Sequence, residues 1–199
     1  MNKADFLKQV RSSLHRNASD PVPPAPNLLA TIKDFNSKDL IAQFKEEFEA
    51  VSGRFFLVKT KKQAGEKVLE IISEAKAKSF AATTDKLIKT IINKIDIPRA
   101  DKISEADIGI SSAHCLIANT GTLVLESSVG RLATLLPAHH IAIVKSEQLL
   151  PTMAEAIEQV DSLPSAWVQA TGPSRTADIE LTLTIGVHAP GIVDVIMIG

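Results

Sequence analysis

The sequence has a single cysteine, Cys115, among its 199 residues. One cysteine cannot form an intrachain disulfide, a cysteine-only metal site or the thiolate shell of an iron–sulfur cluster. The formal net charge is −1, so the chain as a whole has no electrostatic attraction for nucleic acid or for an anionic membrane. These absences exclude an intrachain disulfide, metal centres held by cysteines alone, and binding that depends on a strongly basic surface.

The chain also lacks long apolar runs and the glycine-rich loops of nucleotide-binding proteins. Residues such as Lys145 and Glu147 interrupt every apolar stretch before the roughly 20 residues that a membrane span needs. Lys3 and Asp5 likewise interrupt the apolar core of a signal peptide. No Gly-x-Gly-x-x-Gly string and no Gly-x-x-x-x-Gly-Lys-Ser/Thr loop occurs, so no nicotinamide, flavin or ATP site is assigned. We expect a cytoplasmic protein with no cofactor of its own, no membrane span and no nucleic-acid partner.

The N-terminal segment is predicted to be an appendage of a larger domain. Phe6, Leu7, Val10 and Leu14 recur at helical spacing, which predicts an amphipathic helix from Lys3 to about Leu14. Residues 20–26 contain four prolines and form a stiff connector that cannot continue the helix. The sequence therefore predicts a helical arm with its connector in residues 1–26, and a single domain in residues 27–199. The arm packs on its own domain or on a partner, and self-association is possible.

The rest of the chain alternates between strand-like and helical segments. Such alternation predicts an α/β fold with helices on both faces of a mainly parallel sheet. The predicted helices lie at about 40–53, 62–75, 85–94 and 146–160, and the predicted strands at 55–58, 79–82, 122–125, 141–144, 167–170 and 192–198.

The strongest candidate site is the string Thr-Gly-Pro-Ser-Arg-Thr-Ala-Asp-Ile-Glu in residues 171–180. It follows an apolar run, so we predict a strand, a tight turn and the first turn of a helix. Free backbone N–H groups and the helix dipole would then favour an anion. Arg175 can hold a carboxylate or phosphate through two parallel hydrogen bonds, or it can form a salt bridge with Asp178 or Glu180.

A second segment, Asn-Thr-Gly-Thr in residues 119–122, places similar residues at the start of an apolar run. Other polar residues have a structural and a functional interpretation. His140 and His188 are possible rim residues of a site or hydrogen-bonded structural residues. Asp178 and Glu180 are possible rim residues too, but two positions apart on a helix they face different directions. Cys115 is an inert core thiol or a nucleophile. The histidine spacing predicts no metal site.

Five strings of residues occur in a fixed order along the chain: Asn-Thr-Gly-Thr-Leu-Val-Leu (119–125), Arg-Leu-Ala-Thr-Leu-Leu-Pro (131–137), His-Ile-Ala-Ile-Val (140–144), the string at 171–180 and Gly-Val-His-Ala-Pro (186–190). Together they resemble the LUD-domain family. The resemblance implies a three-layer fold similar to the CoA-transferase and ribose-5-phosphate isomerase group. The sequence departs from the family pattern at two positions, Asn119 and His114, where acidic residues are common in relatives.

The resemblance also implies that the two loops meet to form one anion-binding site. The members of that site would be Thr120, Gly121, Thr122, Thr171, Gly172, Ser174, Arg175 and Thr176. It further implies a cytosolic role in oxidising L-lactate to pyruvate beside iron–sulfur partner proteins. The first hypothesis is a subunit of such a system that binds a small anion or positions its partners. The alternatives are a stand-alone enzyme for a phosphorylated or CoA-linked metabolite, and a scaffold; no catalytic residue is assigned.

Overall fold

The computed structural model describes residues 2–15, 17, 19–21, 24, 39–159, 164–177 and 183–199. The chain divides into two compact units, one within residues 1–35 and the other within residues 36–199. The first unit contains helix α1 (Lys3–Ser13), which confirms the predicted N-terminal helix. The side chain of Asn2 caps α1 by accepting a hydrogen bond from the Asp5 N–H at 2.9 Å. Most of the proline connector lies outside the described residues, and the boundary after residue 26 stays a prediction.

The second unit is built from alternating helices and strands. The helices are α2 (Leu40–Ala50), α3 (Lys61–Glu74), α4 (Lys86–Ile92), α5 (Leu132–Leu135) and α6 (Met153–Glu158). The strands are β1 (Arg54–Val58), β2 (Phe80–Ala82), β3 (Ile108–Ser112), β4 (Cys115–Ile117), β5 (Thr122–Glu126), β6 (His139–Lys145), β7 (Leu149–Leu150), β8 (Trp167–Ala170), β9 (Arg175–Thr176), β10 (Thr184–Ile185) and β11 (Ile192–Ile198). No helix of the described residues is long and apolar enough to cross a membrane.

A parallel sheet forms the centre of this unit. Within the described residues its strand order is β1-β11-β6-β3-β2, and every neighbouring pair is parallel. The predicted α/β fold with a mainly parallel central sheet is therefore confirmed. Strand β3, which lies between the middle strand β6 and the edge strand β2, was not predicted. Its residues Gly109, Ser111 and Ser112 weaken the apolar pattern that marks the other strands.

Helices cover the central sheet on both faces. Alternate residues of β3 and β6, Ile108, Ile110, Ile141 and Ile143, join one buried cluster with apolar residues of α3 and α4. The intervening residue Gly109 faces α5, and a Cβ at this position would collide with the carbonyl oxygen of Ala133. Because neighbouring strand residues point to opposite faces, α3 and α4 lie on one face and α5 on the other.

A second sheet holds two of the predicted strands. Its order is β7-β4-β5-β8, and the β4–β5 and β5–β8 pairs are antiparallel. The strands predicted at 122–125 and 167–170 therefore exist, but the expectation that they belong to the parallel sheet was wrong. Strands β4 and β5 are joined by a short turn through Ala118–Thr120 and Gly121, and only antiparallel neighbours can be joined by so short a connection.

The prediction of a helix at 146–160 was wrong for the first half of that range. Residues Ser146–Gln148 form a 3₁₀ turn, β7 follows, and helix α6 begins only after Thr152. Pro151 explains the difference, because a proline favours extended backbone in the residue before it and cannot lie inside a helix. A capping box then starts α6, in which the Thr152 N–H donates to Glu155 Oε2 at 2.8 Å.

Candidate functional site

The segment after Gly172 and Pro173 is a hairpin rather than the predicted helix start. Strand β9 pairs antiparallel with β10, so that Arg175 lies opposite Ile185. The Ser174 N–H donates to the Pro190 carbonyl at 2.9 Å, and the Ser174 carbonyl accepts from the Gly186 N–H at 2.9 Å. The two-residue alternation of Leu, Thr and Ile in residues 181–185 is typical of a strand, and Thr184 and Ile185 form β10, whereas residues 181 and 182 lie outside the described residues. Residues 175 and 176 lie in a strand, so no helix dipole favours an anion there, and Asp178 and Glu180 lie outside the described residues.

The two threonine–glycine loops do meet, as predicted. Thr122 Oγ1 lies 2.7 Å from Thr171 Oγ1 and 2.7 Å from Thr120 Oγ1. Thr122 opens β5 and is 4% exposed, whereas Thr120 and Thr171 are exposed. Because β5 and β8 pair antiparallel, the start of one strand lies beside the end of the other. The three hydroxyls form a continuous chain that runs from one exposed loop through a buried group to the other.

Both loops pack against the last turn of helix α2. Gly121 has a φ of +59°, and a Cβ on it would lie 2.5 Å from the Phe48 backbone nitrogen. Gly172 has a φ of +72°, and a Cβ on it would lie 2.8 Å from Val51 Cγ2 and 2.9 Å from the Val51 carbonyl oxygen. Glycine is therefore needed at both positions, for the left-handed backbone and for the close approach to α2.

Arg175 contacts the same end of α2. Its Nη2 donates a hydrogen bond to the carbonyl oxygen of Val51, the residue that caps the C-terminus of the helix. A cation at this end also interacts favourably with the helix dipole. A guanidinium has five N–H donors, so the bond to Val51 leaves capacity for an anion. We call the exposed residues Thr120, Thr171 and Arg175, together with the buried Thr122 that joins the two threonines, the Thr–Arg surface.

His140 lies inside the central sheet and not just before a strand at a rim. Strand β6 begins at His139, and His140 is 2% exposed. Its Nε2 lies 2.8 Å from Ser111 Oγ on the neighbouring strand β3. Burial, together with the nearby His139, lowers the pKa of His140 to about 4, while the Asp194 carboxylate opposes this effect. The ring is therefore neutral at physiological pH, as a structural histidine would be.

A buried charged network, absent from the predicted site, lies on the other face of the same strands. Asp194 on β11 is fully buried and accepts two 2.6 Å hydrogen bonds, from Arg54 Nε and Arg54 Nη2 on β1. It also accepts one from His139 Nε2 on β6 at 2.7 Å. Burial alone would raise the pKa of Asp194, but the hydrogen bonds from His139 and Arg54 hold it below its usual value. The sequence contained one indication of this network, a carboxylate inside the apolar run of residues 192–198.

The remaining candidates are dispersed. His188 is exposed in the segment after β10. Cys115 is buried, and burial, with a smaller effect of Glu126, raises the pKa of its thiol to about 11, so the thiol stays protonated and inert. His114 Nδ1 lies 3.5 Å from Glu126 Oε2. Asn119 Oδ1 is buried without a hydrogen-bond partner in the described part of the chain. Within that part, no three His, Cys, Asp or Glu side chains are grouped as metal ligands.

Together these features define a mixed α/β protein with a parallel central sheet, a second sheet and threonine–glycine loops docked on a helix end. The chain belongs to the LUD domain family, whose family model matches residues 41–198. A DUF162 family protein from Deinococcus radiodurans has the same fold. Its crystal structure has a TM-score of 0.59 at 18% identity and covers 80% of this chain and 96% of that one.

Relatives with similar sequences are named lactate utilization protein C. The protein from Oceanobacillus iheyensis is 30% identical over 95% of this chain and 94% of its own length. The protein from Shouchella clausii is 29% identical over the same shares. The protein from Halalkalibacterium halodurans is 39% identical over a shorter alignment, which covers 45% of this chain and 43% of that protein. That alignment spans less than half the length of the relative.

We predict that Gly121→Ala destabilises the protein by about 3 kcal/mol, because the left-handed backbone alone costs an L-residue roughly 1–2 kcal/mol and the methyl group would collide with α2. Urea unfolding would measure the loss. The control is Gly130→Ala, since Gly130 also has positive φ (+99°), but among the described residues no atom outside its chain neighbours lies within 4 Å of its Cβ position. Equal losses in the two variants would contradict the close packing of the loop on α2.

The buried neutral ring of His140 predicts a pH-dependent stability. An unfolded histidine takes up a proton near its ordinary pKa of 6.5, whereas the folded ring does so only near 4. The free energy of unfolding should therefore fall as pH falls from about 6.5 to about 4, by up to roughly 3 kcal/mol. Chemical denaturation at a series of pH values would measure this loss, and His140→Gln should remove it. His188→Gln, at an exposed histidine, should leave it unchanged, and a pH profile that is unaffected by His140→Gln would contradict the assignment.

Proposed function

We propose that this protein takes part in lactate utilisation, as a subunit of a system that oxidises L-lactate to pyruvate. The observation that carries the proposal is the alignment with a lactate utilization protein C over 95% of this chain and 94% of that relative. An alignment of this extent covers the domain as a whole, including the threonine–glycine loops. The proposal therefore rests on more than the shared fold, which alone does not specify a function.

The chemistry of lactate oxidation supports a role beside redox partners. Converting the hydroxyl of lactate to a ketone releases two electrons and two protons, which an acceptor must take up. The chain has one cysteine, which is buried and protonated, and it has no dinucleotide-binding loop. We infer that partner proteins containing iron–sulfur clusters accept the electrons, and that this chain binds a small anion or positions those partners.

The Thr–Arg surface is the proposed anion-binding site. Arg175 is held at the end of α2 and can donate further hydrogen bonds to a carboxylate. Thr120 and Thr171 are exposed at the two ends of the hydroxyl chain, so either can donate to a second oxygen of the same anion. The close packing of both loops on α2 fixes these donors relative to one another, which reduces the entropy lost on binding.

Affinity co-purification tests the subunit role. The tagged chain would be purified from its native cells grown on L-lactate, and visible spectra of the eluate would be recorded. We expect brown iron–sulfur proteins in stoichiometric yield, together with lactate oxidation by the eluate. A colourless solitary protein would contradict the subunit role. It would favour the alternative, a stand-alone enzyme acting on a phosphorylated or CoA-linked metabolite.

Substitution of Arg175 tests the Thr–Arg surface. We expect Arg175→Ala to weaken lactate binding at this surface at least about tenfold, because a charge-assisted hydrogen bond contributes roughly 1.5–3 kcal/mol. Its effect on the free energy of unfolding should be no more than about 1 kcal/mol, since the bond to Val51 is exposed. Isothermal titration calorimetry and urea unfolding would measure the two effects.

Two further variants control for charge. Arg175→Lys keeps the positive charge but loses the fork-shaped donor set, so its affinity should lie between those of the wild type and Arg175→Ala. Arg131→Ala removes an exposed arginine that is not part of the Thr–Arg surface and should bind as the wild type does. Unchanged affinity in Arg175→Ala, or a loss of stability of several kcal/mol, would assign Arg175 a structural role instead.

A further inference from the structure

The three threonines of the Thr–Arg surface share a limited number of hydroxyl hydrogens. Thr122 Oγ1 lies 2.7 Å from Thr120 Oγ1 on one side and 2.7 Å from Thr171 Oγ1 on the other. Each hydroxyl has one hydrogen to donate and lone pairs with which to accept. The two contacts inside this hydroxyl chain use two of the three hydrogens, so at most one hydrogen is left to point outward.

The buried position of Thr122 supports this count. Thr122 is 4% exposed, so bulk water does not compete freely for its hydroxyl. Its Oγ1 also lies 3.5 Å from the Thr120 carbonyl oxygen, a much longer contact than the two of 2.7 Å. A hydrogen donated to that carbonyl would turn both outer hydroxyls inward and leave no outward donor. At least one end of the hydroxyl chain is therefore always an acceptor while both 2.7 Å contacts are kept.

The Thr171 end of the hydroxyl chain is the end beside Arg175. Thr171 is followed by Gly172, and a Cβ on Gly172 would lie 2.9 Å from the Val51 carbonyl oxygen. Arg175 Nη2 donates to that same oxygen, so the guanidinium and the backbone that carries Thr171 meet at one atom. An ionised carboxylate only accepts hydrogen bonds, so it can take one hydrogen from Arg175 and the outward hydrogen of the chain at Thr171.

An anion bound at Thr171 fixes the direction of the whole hydroxyl chain. When Thr171 donates outward, its oxygen accepts from Thr122, and the oxygen of Thr122 accepts from Thr120. Thr120 then presents only lone pairs to a ligand. The two ends are separated by no more than two contacts of 2.7 Å, so one small molecule can reach both. The matching ligand has an acceptor at one end and a hydrogen donor close beside it.

We propose that the Thr–Arg surface selects a small 2-hydroxy carboxylate, whose carboxylate accepts from Thr171 and Arg175 and whose hydroxyl donates to Thr120. The choice of L-lactate as its representative rests on the proposed function. Propionate has no hydroxyl, and the keto oxygen of pyruvate would face the lone pairs of Thr120. Thr120 thus distinguishes the substrate of lactate oxidation from its product, and Thr122 is a positioning residue that acts through its two neighbours.

Binding of three acids to the full, unmodified chain tests the selectivity. NMR would follow the methyl resonances of ¹³C-labelled threonines while L-lactate, propionate or pyruvate is added at millimolar concentrations. We expect lactate to bind about three- to tenfold more tightly than either other acid, as for one hydrogen bond between neutral groups. Equal affinities for lactate and propionate would overturn the proposal.

Thr120→Val separates the hydroxyl contact from the carboxylate contact. The variant removes the acceptor and leaves Thr122 free to donate to Thr171, so lactate should bind only as tightly as propionate, whose affinity should stay as in the wild type. Thr120 is exposed, so its replacement should not prevent folding. The matched control is Thr84→Val, at an exposed threonine between β2 and α4, which should leave all three affinities unchanged. A preference for lactate that survives in Thr120→Val would overturn the hydroxyl contact.

Thr122→Val tests the coupling between the two ends. Valine has a shape similar to that of threonine and removes the linking hydroxyl, so Thr120 and Thr171 can both donate outward. Pyruvate should then gain a hydrogen bond from Thr120 and bind about as tightly as lactate, whereas Thr122→Ser keeps the hydroxyl and should keep the preference for lactate. A preference for lactate over pyruvate in folded Thr122→Val would overturn the role of the hydroxyl chain.

Failure of this inference and failure of the proposed function give different results. Equal affinities for the three acids, combined with weaker binding to Arg175→Ala, would remove the selectivity and leave the anion-binding site standing. If none of the acids binds, both the site and its selectivity are overturned. Co-purification of iron–sulfur proteins decides the subunit role independently of either result.

Discussion

The buried carboxylate of Asp194 is the interaction on which the central sheet depends. Moving one ionised carboxylate out of water costs several kcal/mol even after relaxation, and the cost is recovered only when its oxygens are well bonded. Arg54 and His139 supply three hydrogen bonds of 2.6–2.7 Å to it. Because these residues come from β1 and β6 on either side of β11, the carboxylate links three adjacent parallel strands. Their register is thus specified by charge as well as by apolar packing.

The end of helix α2 plays a corresponding part for the second sheet. Phe48 is fully buried and stacks on Phe44 with ring centroids 5.4 Å apart, which anchors α2 in the core. The backbone of Phe48 and Val51 then meets Gly121 and Gly172, so two loops far apart in the chain share one support. The hydroxyl contact between Thr122 and Thr171 follows from this packing and from the pairing of β5 with β8. The loop backbones that carry the Thr–Arg surface are therefore supported by the helix end beneath them.

Local patterns in the sequence were sufficient for most elements but not for their arrangement. Helical spacing of apolar residues located α1, α2, α3 and α4, and apolar runs located β1, β6 and β11. Pro151 and the two-residue alternation after residue 180 both argue against a helix, but a helix was predicted at each place from the neighbouring residues. The contact between His139 and Asp194 spans 55 residues and depends on strand order and register, which no local pattern contains. The same limit applies to Arg175 and Val51, which are 124 residues apart.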